Sequence, residues 1–395
     1  CPDCWHFMQR VLVKERPNLG QIAEEHELEF VSGEGITGWD ESAYYSFNLQ
    51  QIEQDIEAPA QELEEMCLQV VDRAVKTESV LDRLGIPETF WDYLASSWND
   101  GEKNLLGRMD FSYNQGEPIK LLEYNADTPT TLYESAILQW EWLEQTKEQG
   151  LIDQNCDQLN EIHDSIISAF SKLEISTLTH FACNKDIEDD KGTLDYIEEC
   201  AQEAGIETKF VAMSDIGLDD QGLLTDLSDQ IITRLVKMYP WEWIMDEQFG
   251  TNVPSCGVTF FEPPWKAILA NKGLMALMWG MFEGHPNLLP TFFEDDSECE
   301  KFIDGGNYVR KPLLSRQGAN IKIVQGSKII SQTDGPYGEQ PNVIQGLERL
   351  PKFEGGYPLI GCWLVASRVQ GLCIREGDSL ITGTSAKVVP HVILD

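Results

Sequence analysis

The sequence predicts a mixed α/β protein, and three patterns predict it. Apolar residues before residue 107 recur at helical spacing, residues 107–125 alternate in the two-residue period of strands around a polar turn, and residues 178–213 read strand, helix, strand. The strand–helix–strand unit calls for a parallel sheet and the hairpin for an antiparallel one, so both the α+β and the α/β description apply. The 395 residues suit about two to three domains, with boundaries drawn near residues 106, 262 and 335, the first two giving segments 8–106, 107–262 and 263–395.

In the first segment Leu63, Met66, Cys67, Val70, Val71 and Ala74 mark a helix, and Pro59 suits its first turn. Next, Met109, Phe111 and Tyr113 alternate with Arg108, Asp110 and Ser112. Asn114-Gln115-Gly116-Glu117 turns the chain, and Ile119, Leu121 and Glu123-Tyr124-Asn125 continue as a second strand. A helix is expected immediately after Asp127, capped by Thr128, with Pro129 in its first turn, Leu132, Ala136, Trp140 and Leu143 as its apolar stripe, and Gly150 at its end. Residues 178–183 and 208–213 read as strands around a helix marked by Leu194, Ile197, Ala201 and Ala204. An apolar helical run from Trp265 to Trp279 holds Lys266 and Lys272, a Pro- and acid-rich break covers 284–298, residues 308–328 read strand, loop, strand, and the remainder is β-rich.

Lys and Arg number 29 against 67 Asp and Glu, a net charge of -38. That balance argues against nucleic acid or an anionic membrane as partner, since phosphates are bound by clustered cations. It is compatible with a field that draws in cationic substrates such as polyamines and with an acidic surface tuned for solubility. Of ten cysteines, Cys1 and Cys4 form a C-x-x-C with no second pair, and the stretch before Met8 reads as a leader or an appended remnant. Cys67 and Cys362 read as reduced core thiols. No apolar run approaches the ~20 residues that span a bilayer, and a cytoplasmic location is expected.

Four groups of residues carry chemistry. Arg108-x-Asp110 and Glu123-x-Asn125 place a guanidinium, two carboxylates and an amide on one face of a hairpin, because side chains two apart on a strand share a face. Mg2+ prefers such oxygen ligands together with water and phosphates, and an arginine stabilises charge on a transferring phosphoryl group. The competing reading is a cross-strand salt bridge on a wet sheet face. In the second group, Lys311-Pro312 followed by Ser315-Arg316-Gln317-Gly318-Ala319-Asn320 combines two cations with small residues that let a phosphate approach backbone N–H groups, although the spacing is not that of a Walker A loop; an ordinary hairpin turn with surface bases is the alternative. Lys272 could reach a nucleotide phosphate or be a solvated helix lysine. Tyr239-Pro240-Trp241-Glu242-Trp243 reads either as buried aromatic packing or as a pocket wall on which Glu242 pairs with an ammonium. The six histidines show no metal-ligand spacing, and no nucleophile elbow is present, which removes support for hydrolase and redox readings.

Gly107-Arg108-Met109-Asp110-Phe111, Leu122-Glu123-Tyr124-Asn125-Ala126-Asp127-Thr128-Pro129, Tyr308-Val309-Arg310-Lys311-Pro312, Arg316-Gln317-Gly318-Ala319-Asn320 and Gly383-Thr384-Ser385 ahead of Val389-Pro390-His391 together resemble the glutathionylspermidine synthase family, and most closely its short, synthetase-only bacterial members. The resemblance runs from about Met8 to the end of the chain. It implies an ATP-grasp fold with a pre-ATP-grasp domain, and a ligase that uses ATP to phosphorylate a peptide or small acid and then joins it to an amine or polyamine. It further implies that Asp110, Glu123 and Asn125 hold two Mg2+ ions, that Arg108 stabilises the transition state, and that Arg316 sits in a loop closing over the phosphates. Lys272, Lys311 and Gly318 would then contact ATP, and Gln345, in a hinge at 344–347, its adenine. Thr128 and Glu242 are the candidate substrate contacts. Around Lys237-Met238-Tyr239 the chain departs from the glutathione-joining members, which leaves the acid and the amine open. A non-catalytic nucleotide or polyamine sensor on the same fold is the main alternative, and a phosphotransferase that stops at phosphorylation is a third.

Overall fold

A computed structural model describes residues 8–394 except 18, 20–21, 23–30, 33–34 and 37. Cys1, Cys4 and the expected remnant before Met8 lie outside these residues. Three larger sheets organise the chain. The first is fully antiparallel and joins the hairpin Leu106–Ser112 and Lys120–Asn125 to Tyr357–Val365, Arg368–Gly377 and Lys387–Val389. The second is parallel, in the order Thr259–Phe261, Arg234–Met238, Thr179–Cys183, Thr208–Ala212. The third is antiparallel, in the order Thr291–Phe293, Asn342–Gly346, Asn307–Pro312, Lys322–Gln325, Lys328–Gln332. A smaller sheet pairs Gln9–Leu12 with Ala43–Asn48 and the C-terminal Val392-containing strand His391–Leu394. The result is a mixed α/β architecture in which the hairpin sheet draws strands from both the middle and the end of the sequence.

The helix Ala58–Ala74 buries Leu63, Met66, Cys67, Val70, Val71 and Ala74, the expected stripe, with proline in its first turn. Cys67 and Cys362 are buried and free. The strand–helix–strand unit forms as expected, with the helix Glu188–Glu203 crossing between two parallel strands.

Two expectations need correction. The helix after the hairpin starts at Leu132 rather than at Thr128, because residues 127–131 run on as a non-helical segment in which Thr131 takes φ +68°. Its first turns are π-helical over Glu134–Leu138, and the α-helix Gln139–Glu148 follows. A π turn holds one extra residue, so the helix face advances by one position beyond it. Leu143 is buried as expected, but Trp142 takes the buried place beside it while Trp140, expected in the stripe, is 42% exposed. The single run expected from Trp265 to Trp279 is two helices, Lys266–Ala270 and Gly273–Met281, with Asn271 extended at ψ 131° between them. Among the described residues no helix is long and apolar enough to cross a membrane.

Candidate active site

The strand Leu106–Ser112 is buried along its whole length, since one face packs on the core through Met109 and Phe111 and the other forms the floor of a cleft. Arg108 and Asp110 stand on that floor, opposite Asn125 and Glu123 respectively. Arg108 grips Asp110 in a fork, Nε to Oδ1 at 2.7 Å and Nη2 to Oδ2 at 3.0 Å, and its Nη1 donates to the Thr130 carbonyl at 2.6 Å. Asn125 Nδ2 lies 3.1 Å from Asp110 Oδ2 and 3.4 Å from Glu123 Oε1, so the three side chains converge on one point. The salt bridge seen here is not the cross-strand pair on a wet face offered as the competing reading: Arg108 and Asp110 pair within one strand, and they are 3% and 0% exposed.

Cations surround this point. Lys272, at the break between two helices, holds its Nζ 3.4 Å from Glu123 Oε2 and donates to the Ser315 carbonyl at 2.6 Å, so it is not a solvated helix lysine. Lys311 is buried and donates to the Leu122 carbonyl at 3.0 Å and to Gln345 Oε1 at 2.8 Å. Burial alone would raise Glu123, but Lys272, Lys311, Arg108 and Arg375 outweigh it and hold its carboxyl down at about 2. Burial pulls Lys311 down to about 8 against the opposing pull of Glu123.

Two clefts meet here. A cleft of about 640 Å³ between the first and third sheets is lined by Leu122, Val309, Ile323, Leu359 and Ile381 and by the polar groups of Lys311 and Gln345. A more polar cleft of about 810 Å³ is lined by Arg108, Asn125, Thr128, Glu242, Lys272 and Arg316. Glu123, Gly318 and Thr382 belong to both. Gly318 is required at this junction: its φ is +72°, and a Cβ would lie 2.9 Å from the Thr382 carbonyl oxygen. Pro240 and Glu242, just past the carboxyl end of the parallel strand Arg234–Met238, line the polar cleft, a place where α/β sheets commonly bind ligands. Gln345 lies inside the strand Asn342–Gly346 rather than in a hinge. Arg316 reaches across the cleft to Asp190, Nη2 to Oδ1 at 3.0 Å, and stacks 5.2 Å from the Trp243 ring centre.

Residues 10–394 match the family model described as glutathionylspermidine synthase preATP-grasp. The chain belongs to the glutathionylspermidine synthase family. It is 35% identical to a Haemophilus influenzae protein provisionally named an acid–amine ligase, over 91% of this chain and 92% of that protein. It is 26% identical to the bifunctional glutathionylspermidine synthetase/amidase of Escherichia coli over 89% of this chain, and spans 59% of that longer protein. Trypanothione synthetase of Crithidia fasciculata is likewise 26% identical over 82% of this chain and 52% of its own length. In fold, the chain is similar to a glutathione synthetase-like effector from Globodera pallida, with a TM-score of 0.56 at 10% identity and coverage of 96% and 98% of the two chains.

In this member of the glutathionylspermidine synthase family, several residues of the site carry no local signature in sequence. Arg375 lies on the same sheet face, its Nη1 3.6 Å from Asp110 Oδ2. Burial, together with the neighbouring Arg108 charge, lowers the Arg375 guanidinium from its usual range. Gly361 stands opposite Asp110 and leaves room for Arg108, whose Cδ would be 2.9 Å from a Cβ there. Asp127 and Lys237 form a buried pair at 2.5 Å, and Asp127 Oδ2 accepts the Trp241 N–H at 2.7 Å. That clamp ties the segment after the hairpin to the helix that carries Glu242. Only the register of distant strands brings these groups together.

Among the described residues no group of three or more His, Cys, Asp or Glu could hold a metal ion. The floor offers two carboxylates and one amide, which suits Mg2+ completed by water and phosphate oxygens. The meeting of Asp110, Glu123 and the Asn125 amide at one point fits such an ion once the amide turns to present Oδ1 in place of the Nδ2 that donates to both carboxylates.

Proposed function

We propose that this chain is an ATP- and Mg-dependent ligase on an ATP-grasp fold that joins a carboxylic acid to an amine through an acyl phosphate. The observation that carries the reading is the meeting of a largely apolar cleft and a polar cleft at Glu123 and Gly318. In this reading the nucleoside lies in the apolar cleft, with Gln345 and Lys311 as its polar contacts, and the phosphates extend to the junction. Asp110, Glu123 and Asn125 would hold Mg2+, which when bound offsets charge on the phosphate oxygens.

The rest follows from the chain's own groups. Lys272 and Lys311 attract the phosphates as point charges. Arg108, fixed by Asp110 and Thr130, faces the position where the γ-phosphoryl group passes from ATP to the acid's carboxylate oxygen with ADP leaving, and Arg375 adds a second guanidinium beside it. The amine nitrogen then attacks the acyl carbon, the C–N bond forms, and the C–O bond to phosphate breaks. Arg316 leaves Asp190 to cover the phosphates. Thr128 and Glu242 contact the substrates in the polar cleft.

Glutathione with spermidine is the first pair to try, because the Escherichia coli relative is named a glutathionylspermidine synthetase. A pooled set of peptides and amines follows, with products read by mass spectrometry as amine mass gained less water. Calorimetry with Mg2+ should detect ATP binding, and hydroxylamine should trap the acyl phosphate as a hydroxamate. An enzyme that binds ATP but yields neither amide nor hydroxamate refutes the ligase reading.

A further inference from the structure

The carboxylates around the polar cleft are nearly all held by a cation. Asp110 is bound by Arg108 at 2.7 Å, Glu123 by Lys272 at 3.4 Å, Asp127 by Lys237 at 2.5 Å and Asp190 by Arg316 at 3.0 Å. Glu242 lines the same cleft, and among the described residues no ion pair is made to it. Its position is nonetheless fixed. The preceding Trp241 is fully buried, its backbone N–H held by Asp127 at 2.7 Å and its indole N–H by the Glu262 carbonyl at 3.1 Å. Asp127 is two residues beyond Asn125, so the clamp sets Glu242 against the floor from the opposite wall.

The cleft is thereby polarised. Arg108, Arg375 and Lys272 make its floor cationic, which suits an acid being phosphorylated. Glu242 makes its wall receptive to a cation, and the neighbouring Trp243 ring already carries the Arg316 guanidinium on its face. An amine reaches the enzyme as an ammonium, without the lone pair that attack requires. Some group must remove a proton next to the acyl carbon, and a base serves best when its proton affinity lies near the working pH.

We propose that Glu242 receives the ammonium of the amine substrate and takes one proton from it, which frees the nitrogen lone pair to attack. This rests on the ligase reading above. One proton of the ammonium passes to the Glu242 carboxylate. The neutral amine forms the C–N bond as the C–O bond to phosphate breaks, and the second proton leaves with the phosphate, so charge and atoms balance. Burial first, and then the charge of Asp127, raise Glu242 to about 7 against the opposing pull of Arg316 and Lys237. Tyr337 also faces it, and Arg108, Lys272 and Arg375 line the same cleft.

Two measurements test this. Putrescine is titrated by calorimetry with Mg–ADP present, on the wild type and on Glu242→Gln, between about pH 6 and 8. Wild-type affinity should rise as pH passes about 7, and the variant should bind at least about tenfold more weakly at the upper end, with little pH dependence. Equal affinity in the two proteins overturns the proposal. In the second measurement putrescine amide and hydroxamate are compared, using the acid that trapping identifies. Hydroxylamine is largely neutral near pH 7 and needs no base, so in Glu242→Gln the ratio of amide to hydroxamate should fall at least about tenfold, and Glu242→Asp should recover part of it. A ratio that stays at the wild-type value overturns the proton transfer. A wild type that gives no hydroxamate with any acid overturns the ligase reading instead, and the putrescine titration still decides whether Glu242 holds the amine.

Discussion

Adding a methyl group to Gly361 should disable the site without replacing any group that meets a substrate. In Gly361→Ala the new Cβ would lie 2.6 Å from Cys373 Sγ and 2.9 Å from Arg108 Cδ, both closer than real Cβ contacts allow. The backbone is confined by pairing on both sides, to Asp110 and to Cys373, so the strain passes to the side chains. Overpacking of this kind costs about 1–3 kcal/mol, which lowers Tm by a few degrees. The effect on the reaction should be larger. Arg108 holds Asp110 by two bonds and Thr130 by one, and a shift of ~1 Å in such a group reduces turnover about a hundredfold. The assay is Mg-dependent ADP release alongside thermal unfolding. A second variant, Gly361→Ala with Cys373→Ala, removes the sulfur contact and keeps the one to Arg108. It should regain part of the Tm and none of the rate. Wild-type turnover in Gly361→Ala would show that Arg108 need not hold this place, and would refute the assignment of the floor.

Three further outcomes follow. Asp110→Asn leaves Arg108 and Arg375 facing a neutral amide and takes the charge from a metal ligand, so ADP release should fall at least about a hundredfold; normal release removes the metal assignment. Asp190→Asn frees Arg316 from a buried carboxylate, and Mg–ATP should bind about three- to tenfold more tightly in calorimetry, whereas unchanged or weaker binding shows that Asp190 does not compete with phosphate for Arg316. His391 is fully buried with Nδ1 3.0 Å from Gln139 Oε1 and Nε2 accepting the Leu159 N–H at 3.2 Å, and burial pulls it down to about 3. The unfolded chain therefore takes up a proton that the folded chain refuses, and stability should fall as pH drops below about 6.5, with a slope of up to about 1.4 kcal/mol per pH unit from this group. Denaturant titration of His391→Gln should show that slope reduced by one proton, and an unchanged slope rejects the assignment.

The sequence made the hairpin legible because both of its signals are local. Alternation sets which side chains share a face, and a turn of seven residues leaves little freedom in register, so Arg108, Asp110, Glu123 and Asn125 could be placed together. It misled at residues 128–143. Thr128 and Pro129 carry the chemistry of a helix start, yet residues 127–131 stay irregular, with Asp127 tied to Lys237 and Thr130 to Arg108. The π turn was invisible for a different reason, since an inserted residue leaves composition unchanged and only moves the stripe. Arg375 and Gly361 were illegible because their neighbours lie some 250 positions earlier and are reached only through strand order. Lys272 looked like one of two lysines in a single helix, and the break at Asn271 is what turns it toward Glu123.

The distribution of charge has a kinetic consequence. The chain carries 67 acidic against 29 basic side chains, yet Arg108, Lys272, Lys311, Arg316 and Arg375 are gathered into one recess. At a distance an approaching molecule meets the acidic body, and only within about 10 Å, the screening length at moderate salt, does it meet the recess. An anionic nucleotide is thus repelled before it is captured, whereas a polyamine is drawn in from afar. Added salt should quicken the encounter with the first and slow the encounter with the second, so that ionic strength alone sets which of the two arrives sooner.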